Sequence, residues 1–295
     1  MKWKFEKIIE SDNIPIEGLA WNGQALFYSQ PNKDLIFRMD LDKKIPTINR
    51  KYTGKVSGLA YGPSGEFYGC QQFSRRIIRM STEGPAWAMT YRYDGMPYHE
   101  SFHNTPKHIT VDSLNRIWFS DPMHPLLGFG PALPFSNHQS ILRLEMQADK
   151  SWKLIRSSYD TTNPSGVAVS KDAKKLYVGN RTNLVSEVRE YIINNNGSLG
   201  KYKTLLSFIN THDDSAIIID GICVDSNGRI FVCTGSMNNE FSSIYILLPN
   251  GQISESHVVP SGRVTNCIFG GVEMNILFIA TQNGELLQVS NKNIH

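Results

Sequence analysis

Five of the eight histidines, His99, His103, His108, His124 and His138, fall in the stretch 99–138. An imidazole changes charge close to neutral pH, so such a stretch could move protons. No spacing among the five suits a zinc site. His108 and His124 are the two best placed for proton transfer. Lys107 directly precedes His108. Its ammonium has three donors and no acceptor, so it can polarise a carbonyl or pair with carboxylates. Desolvated, it could also become a nucleophile or base. Asp121 ends the run Ile117-Trp118-Phe119-Ser120-Asp121, just before His124. It either lines a pocket or orients the loop that follows. The four cysteines, Cys70, Cys223, Cys233 and Cys267, lie scattered without a CxxC pair. They read as small buried apolar residues rather than metal or disulfide partners.

These side chains need elements to hold them, and the chain supplies a repeat. One unit recurs six times: a small or glycine residue opening a short apolar run, a turn, a second apolar strand, then a third. The first copy runs Glu17-Gly18-Leu19-Ala20-Trp21, turns at Asn22-Gly23, and returns as Leu26-Phe27-Tyr28-Ser29. The others open at Gly58, His108, Gly166, Gly221 and Asn266, at intervals of 40 to 58 residues. Asn-Gly, Ser-Gly and Asp-Ser-Asn-Gly turns between β-branched and aromatic runs are hairpin signals. Blades of four short strands have this period. The expectation is an all-β, six-bladed β-propeller over residues 1–295. The chain after Asn266 is tight for four strands, so the N-terminal strand Phe5–Glu10 is expected to complete the sixth blade and remove the open edges.

Composition sets further bounds. Of the 295 residues 40% are hydrophobic, and the net charge is +3 with no basic block. Nucleic acid is therefore not an expected partner. No apolar run reaches the ~20 residues of a spanning helix, and the N-terminal residues lack a signal-peptide core. The expectation is a monomeric cytoplasmic protein acting on a small molecule, away from membranes. The segment 121–138 interrupts the third repeat with Pro122, Pro125, Pro131 and Pro134 among Leu126, Leu127, Phe129, Leu133 and Phe135. A long apolar loop in a compact domain suggests a lid over one channel end.

The repeat openings also carry family words. Glu17-Gly18-Leu19-Ala20-Trp21, the stretch from Asp112 to Pro122 ending in Trp118-Phe119-Ser120-Asp121-Pro122, Asn163-Pro164-Ser165-Gly166, Asp220-Gly221-Ile222-Cys223-Val224-Asp225 and Thr265-Asn266-Cys267-Ile268-Phe269-Gly270-Gly271 stand in order and register. Through them the chain resembles the senescence marker protein / gluconolactonase / luciferin-regenerating enzyme family. The resemblance implies a divalent cation, often calcium, at the top of the channel and hydrolysis of sugar lactones or related esters. It implies Glu17 and Asp220 as metal ligands, with Asp220 also the general base. The asparagine expected in the fourth blade is Ser165, a weaker candidate ligand. In the third blade, Asn104-Thr105-Pro106-Lys107-His108 puts Lys107 at a ligand asparagine, His108 at an aspartate, and Thr105 at an arginine that grips substrate in some members. Thr105, Asp121, His124 and Asn266 are the candidate substrate contacts.

Six inner strands stand about 60° apart around the axis, so Glu17 and Asp220 would face one small volume. Two such carboxylates repel unless a cation or a proton intervenes. Calcium takes six to eight oxygens at ~2.3–2.6 Å, and an ammonium can be none of them. The favoured reading is a metal-free site in which Lys107 stands in for the ion. The alternative is a weakened calcium site with Lys107 swung aside. Function is open at this stage among three readings: a lactonase-like hydrolase, a metal-free enzyme of other chemistry (condensation, isomerisation or cyclisation) using Lys107, Glu17 and Asp220, and a non-catalytic binding propeller.

Overall fold

The computed structural model of the chain describes residues 3–81, 84–90, 103–124, 136–210, 216–238 and 241–290. They form a six-bladed β-propeller of six four-stranded antiparallel sheets. The inner strand of each blade is its first in sequence: Leu19–Trp21, Val56–Tyr61, Ile109–Val111, Pro164–Val169, Ile217–Val224 and Val264–Gly270. Each touches the inner strand on either side, so the six close into a ring around the channel. The sixth blade takes its outer strand from the N-terminus, where Glu6–Ile9 pairs with Leu286–Ser290. This places the ring closure where the short C-terminal repeat expected it. Among the described residues, the single helical element is a 3-10 turn at Pro31–Lys33.

Packing explains the strand patterns. Second strands such as Ala25–Gln30, Phe67–Gln71 and Ile230–Ser236 are buried along their whole length, because neighbouring blades cover both faces. They are accordingly near-continuous apolar runs rather than alternating ones. Phe27, Phe67, Trp118, Phe231 and Phe278 are fully buried in these strands. The fourth strand Leu199–Ile209 lies at the rim and exposes much of its length. Each hairpin joining first and second strands has at least one residue with positive φ: Gly23, Gly65, Asn115, Ala173, Gly228, and in the sixth both Gly271 and Met274. Glycine and asparagine adopt that conformation readily. Ala173 and Met274 show that the turn is kept by the blade geometry even where the residue disfavours it.

Among the described residues, no helix is long and apolar enough to cross a membrane. The four cysteines are free. Of the loop 121–138, the ends 121–124 and 136–138 are described; residues 125–135, which carry the expected lid, and His99 lie outside the described residues.

Candidate functional site

The inner strands enter the channel irregularly. Pairing registers shift between Pro164 and Val167, between Ile219 and Ile222, and between Val264 and Asn266. These shifts fall on Ser165-Gly166, Asp220-Gly221 and Thr265-Asn266. A bulge sets two residues against one and re-aims a side chain. The glycines that open the repeats answer a second demand. A Cβ on Gly18 would run into the Ser57 carbonyl, one on Gly58 into that of Lys107, and one on Gly166 into that of Asp220. Adjacent inner strands approach too closely for a side chain there. The third and sixth blades carry side chains instead, His108 and Asn266.

Lys107 and Asp220 meet at the start of the channel. Lys107 Nζ donates to Asp220 Oδ1 at 2.7 Å. His108 Nε2 lies 2.8 Å from the same oxygen. A carboxylate only accepts, so Nε2 carries the hydrogen in this bond. The Asp220 side chain is 3% exposed and that of Lys107 23%. Burial pushes the Asp220 carboxyl up, but the Lys107 ammonium, the His108 hydrogen bond and the Arg263 charge outweigh it and hold it well below the usual carboxylate range. Burial pulls Lys107 down, while the charges of Asp220 and then Glu17 more than offset it, so the ammonium is held above its ordinary value. The pair is thus ionised across neutral pH.

A pocket of about 230 Å³ opens above this pair, lined by Lys107, His124, Ser165, Arg181, Asp220 and Arg263 among others. A second space of about 320 Å³ opens on the side where the inner strands run out, and His108, Asn266 and Cys267 border it. His108 therefore stands between the two ends of the channel, braced against Asp220. His124 at the mouth has its pKa lowered by burial and by the Lys107 charge, with Glu17 opposing.

The other candidates are placed as follows. Ser165 Oγ donates to the Ile219 carbonyl at 2.6 Å. Asn266 Nδ2 donates to the Glu17 carbonyl at 2.9 Å, tying the sixth blade to the first. Glu17 is half-buried, and its charge reaches Lys107 and His124. No ion pair joins Glu17 to Lys107 among the described residues. Thr105 is buried, with its N–H bonded to the Pro122 carbonyl at 3.0 Å. Asp121 is fully buried, and its Oδ2 accepts the Asn104 N–H at 2.8 Å. Neither Thr105 nor Asp121 is among the residues lining the mouth pocket.

This donor set does not make the oxygen cage of a calcium ion. The Lys107 ammonium and the His108 N–H both cover Asp220 Oδ1, and Lys107, standing where an oxygen ligand is needed, has no acceptor to offer. Among the described residues, no group of three or more His, Cys, Asp and Glu side chains is arranged to hold a metal ion.

Sequence reasoning missed two of the pocket's cations. Arg181 ends the second strand of the fourth blade, Lys175–Arg181, and Arg263 immediately precedes the inner strand of the sixth. Arg263 stands three positions before the repeat marker Asn266, a register that could have pointed to the channel mouth. Sequence reasoning also missed the approach of Cys223 to Cys267, whose sulfurs lie 3.3 Å apart across adjacent inner strands. Their separation of 44 residues hides it.

Comparison with known proteins fits this architecture. The family model described as the SMP-30/gluconolactonase/LRE-like region matches residues 16–283. A gluconolactonase of Zymomonas mobilis is 23% identical over 300 residues, covering 94% of this chain and 79% of its own length. A solved gluconolactonase structure from Xanthomonas campestris superposes with a TM-score of 0.78 at 22% identity, over 98% of this chain and 90% of its own. A luciferin-regenerating enzyme superposes at 0.73 with 18% identity, over 98% and 95%.

Proposed function

The chain belongs to the SMP-30/gluconolactonase/LRE-like family, and we propose that it is a hydrolase that opens a lactone or related cyclic ester with the Lys107 ammonium, rather than a divalent ion, polarising the carbonyl. The family is lactonase-like at the coarse level; the substrate and the metal-free mechanism are the proposal. The observation that carries it is the Lys107–Asp220 pair, at 2.7 Å on the floor of the mouth pocket.

Lys107 has three N–H donors, of which Asp220 takes one. Another can donate to the carbonyl oxygen of a bound lactone. As water attacks, negative charge gathers on that oxygen, and a fixed ammonium in a partly dehydrated pocket stabilises it. His124 is held toward its neutral form, so its free ring nitrogen can accept the proton of the attacking water. Collapse of the tetrahedral intermediate breaks the ring C–O bond. The proton then passes from His124 to the departing oxygen, giving a hydroxy acid. Asp220 holds its proton too weakly to be an effective base near neutral pH. Its role in this scheme is to anchor Lys107, in place of the base role that the family resemblance implies. His108 braces Asp220 from below.

A panel of γ- and δ-lactones, assayed with and without EDTA, tests the proposal. Expected is turnover insensitive to EDTA that falls at least about 100-fold in Lys107→Met, a typical cost of losing an oxyanion donor. Turnover abolished by EDTA and restored by calcium overturns the metal-free mechanism. No turnover of any lactone by folded wild-type protein overturns the hydrolase reading.

A further inference from the structure

The mouth pocket holds more positive charge than lactone opening needs. Lys107, Arg181 and Arg263 all line it, and Asp220 is the sole carboxylate among its described lining residues. Lys107 is matched by Asp220 at 2.7 Å. The two guanidiniums are not matched. Arg181 Nη1 contacts the Met237 sulfur at 3.7 Å, and Arg263 Nη2 donates to the Gln282 amide oxygen at 2.9 Å. Among the described residues, neither makes a salt bridge. Elsewhere Arg38, Arg116, Arg143, Arg189 and Arg229 each pair with a carboxylate, while Arg50 and Arg156 donate to carbonyl and hydroxyl oxygens outside the mouth pocket. Among the described residues, counting the nearby Glu17 against the two guanidiniums leaves the mouth net positive by about one charge, with His124 held toward its neutral form.

Arg263 is held in place. Its backbone carbonyl accepts the Gln282 N–H at 2.8 Å, and the Gln282 side chain accepts from its guanidinium. Its aliphatic stem crosses Gly235, where any Cβ would run into the Arg263 Cγ. Gly235 thus clears the path along which Arg263 reaches the pocket. Arg181 comes from the fourth blade and Arg263 from the loop entering the sixth, so they approach the pocket from either side of the fifth-blade Asp220. A planar guanidinium presents parallel N–H donors that suit a carboxylate.

We propose that Arg181 and Arg263 form an anion subsite and that the substrate is a lactone bearing a free carboxylate away from the reacting carbonyl. This rests on the reading of the pocket as a lactone site. Where the family resemblance implies a substrate-gripping arginine this chain has Thr105, which does not line the pocket; the positive charge at the mouth comes instead from the fourth and sixth blades.

Two measurements test it and keep the two readings separable. The first is equilibrium binding by calorimetry, which needs no turnover. D-Glucarate, with a carboxylate at each end, is expected to bind at least tenfold tighter than D-gluconate. Arg263→Gln and Arg181→Gln should each remove most of that advantage, with folding checked by circular dichroism. The second is the ratio of kcat/KM for a carboxylated lactone over its methyl ester, expected to fall about tenfold or more in Arg263→Gln. Glucarate selectivity without any lactone turnover sinks the hydrolase reading and keeps the anion subsite. Lactone turnover with no preference for the carboxylate, or a preference untouched by both substitutions, overturns the subsite. Tighter binding of 6-phosphogluconate than of glucarate overturns the assignment to carboxylate.

Discussion

Lys107 and Asp220, 113 residues apart in the chain, meet at 2.7 Å where the inner strands of the third and fifth blades enter the channel. Each sets the charge state of the other. Removing one partner of such a pair leaves a charge with its desolvation unrepaid, which costs about 3–5 kcal/mol in buried cases. The Asp220 left behind keeps its His108 bond at 2.8 Å, so the cost falls somewhat below that range. We expect Lys107→Met to lower stability by roughly 2–3 kcal/mol and the double variant Lys107→Met/Asp220→Asn to recover at least half of that in urea unfolding. Additive losses in the double variant would show that the two side chains do not act as a pair.

The His124 pKa is lowered, and its neutral form is the one that accepts a proton. The logarithm of kcat/KM should therefore rise with pH and level off below the ordinary histidine value of about 6.5. In His124→Gln the acid limb should vanish and the plateau drop by about 100-fold. An acid limb that persists unchanged in that variant assigns the base elsewhere.

Asp121 offers a stability test away from the site. Burial pushes its carboxyl up to about 7, against the Asn104 hydrogen bond and the Arg75 charge. Its Oδ1 is buried without a partner. The folded state binds this proton more tightly than the unfolded chain, so the group's contribution is full below about pH 4 and is lost as pH rises toward 7. The loss is at most about 4 kcal/mol by linkage. Asp121→Asn should abolish that slope in urea midpoints measured from pH 4 to 8 and be at least as stable as wild type at pH 8. Parallel slopes in the two proteins would contradict the burial argument.

Gly166 should not tolerate a methyl group. A Cβ there meets the Asp220 backbone carbonyl, so neighbouring blades must separate. Gly166→Ala is expected to cost about 3 kcal/mol or more and to weaken activity together with stability, since it moves the strand that carries Asp220. A thermal midpoint within a degree of wild type would mean that the inner strands yield easily.

The ring was legible in the sequence because its demands are local and recur. Glycine, or a residue forced to positive φ, turns each first hairpin, and four of six inner strands open with a glycine that only close strand approach explains. The short final repeat made the closing role of Glu6–Ile9 readable. Convergence of Glu17 and Asp220 on one volume is the expectation from the ring geometry, and the family resemblance puts Lys107 beside them; the structure pairs Lys107 with Asp220. The bond from His108 to Asp220 was not legible, because side-chain direction depends on the bulge at Ile219–Ile222, which leaves no mark in residue types. Arg181 and Arg263 were hidden for a related reason: they sit at strand ends outside the repeat words and reach the pocket only through blade packing. The Thr105 position suggested lost positive charge at the mouth, and the charge stands on other blades.

The central claim is that Lys107 occupies the place of a divalent ion. Elemental analysis of wild-type protein purified without chelator tests it most directly, with Lys107→Asn, which restores an amide oxygen, as the comparison. The account predicts calcium far below one equivalent in wild type and a gain of calcium binding in Lys107→Asn. One tightly held calcium per wild-type chain would contradict it.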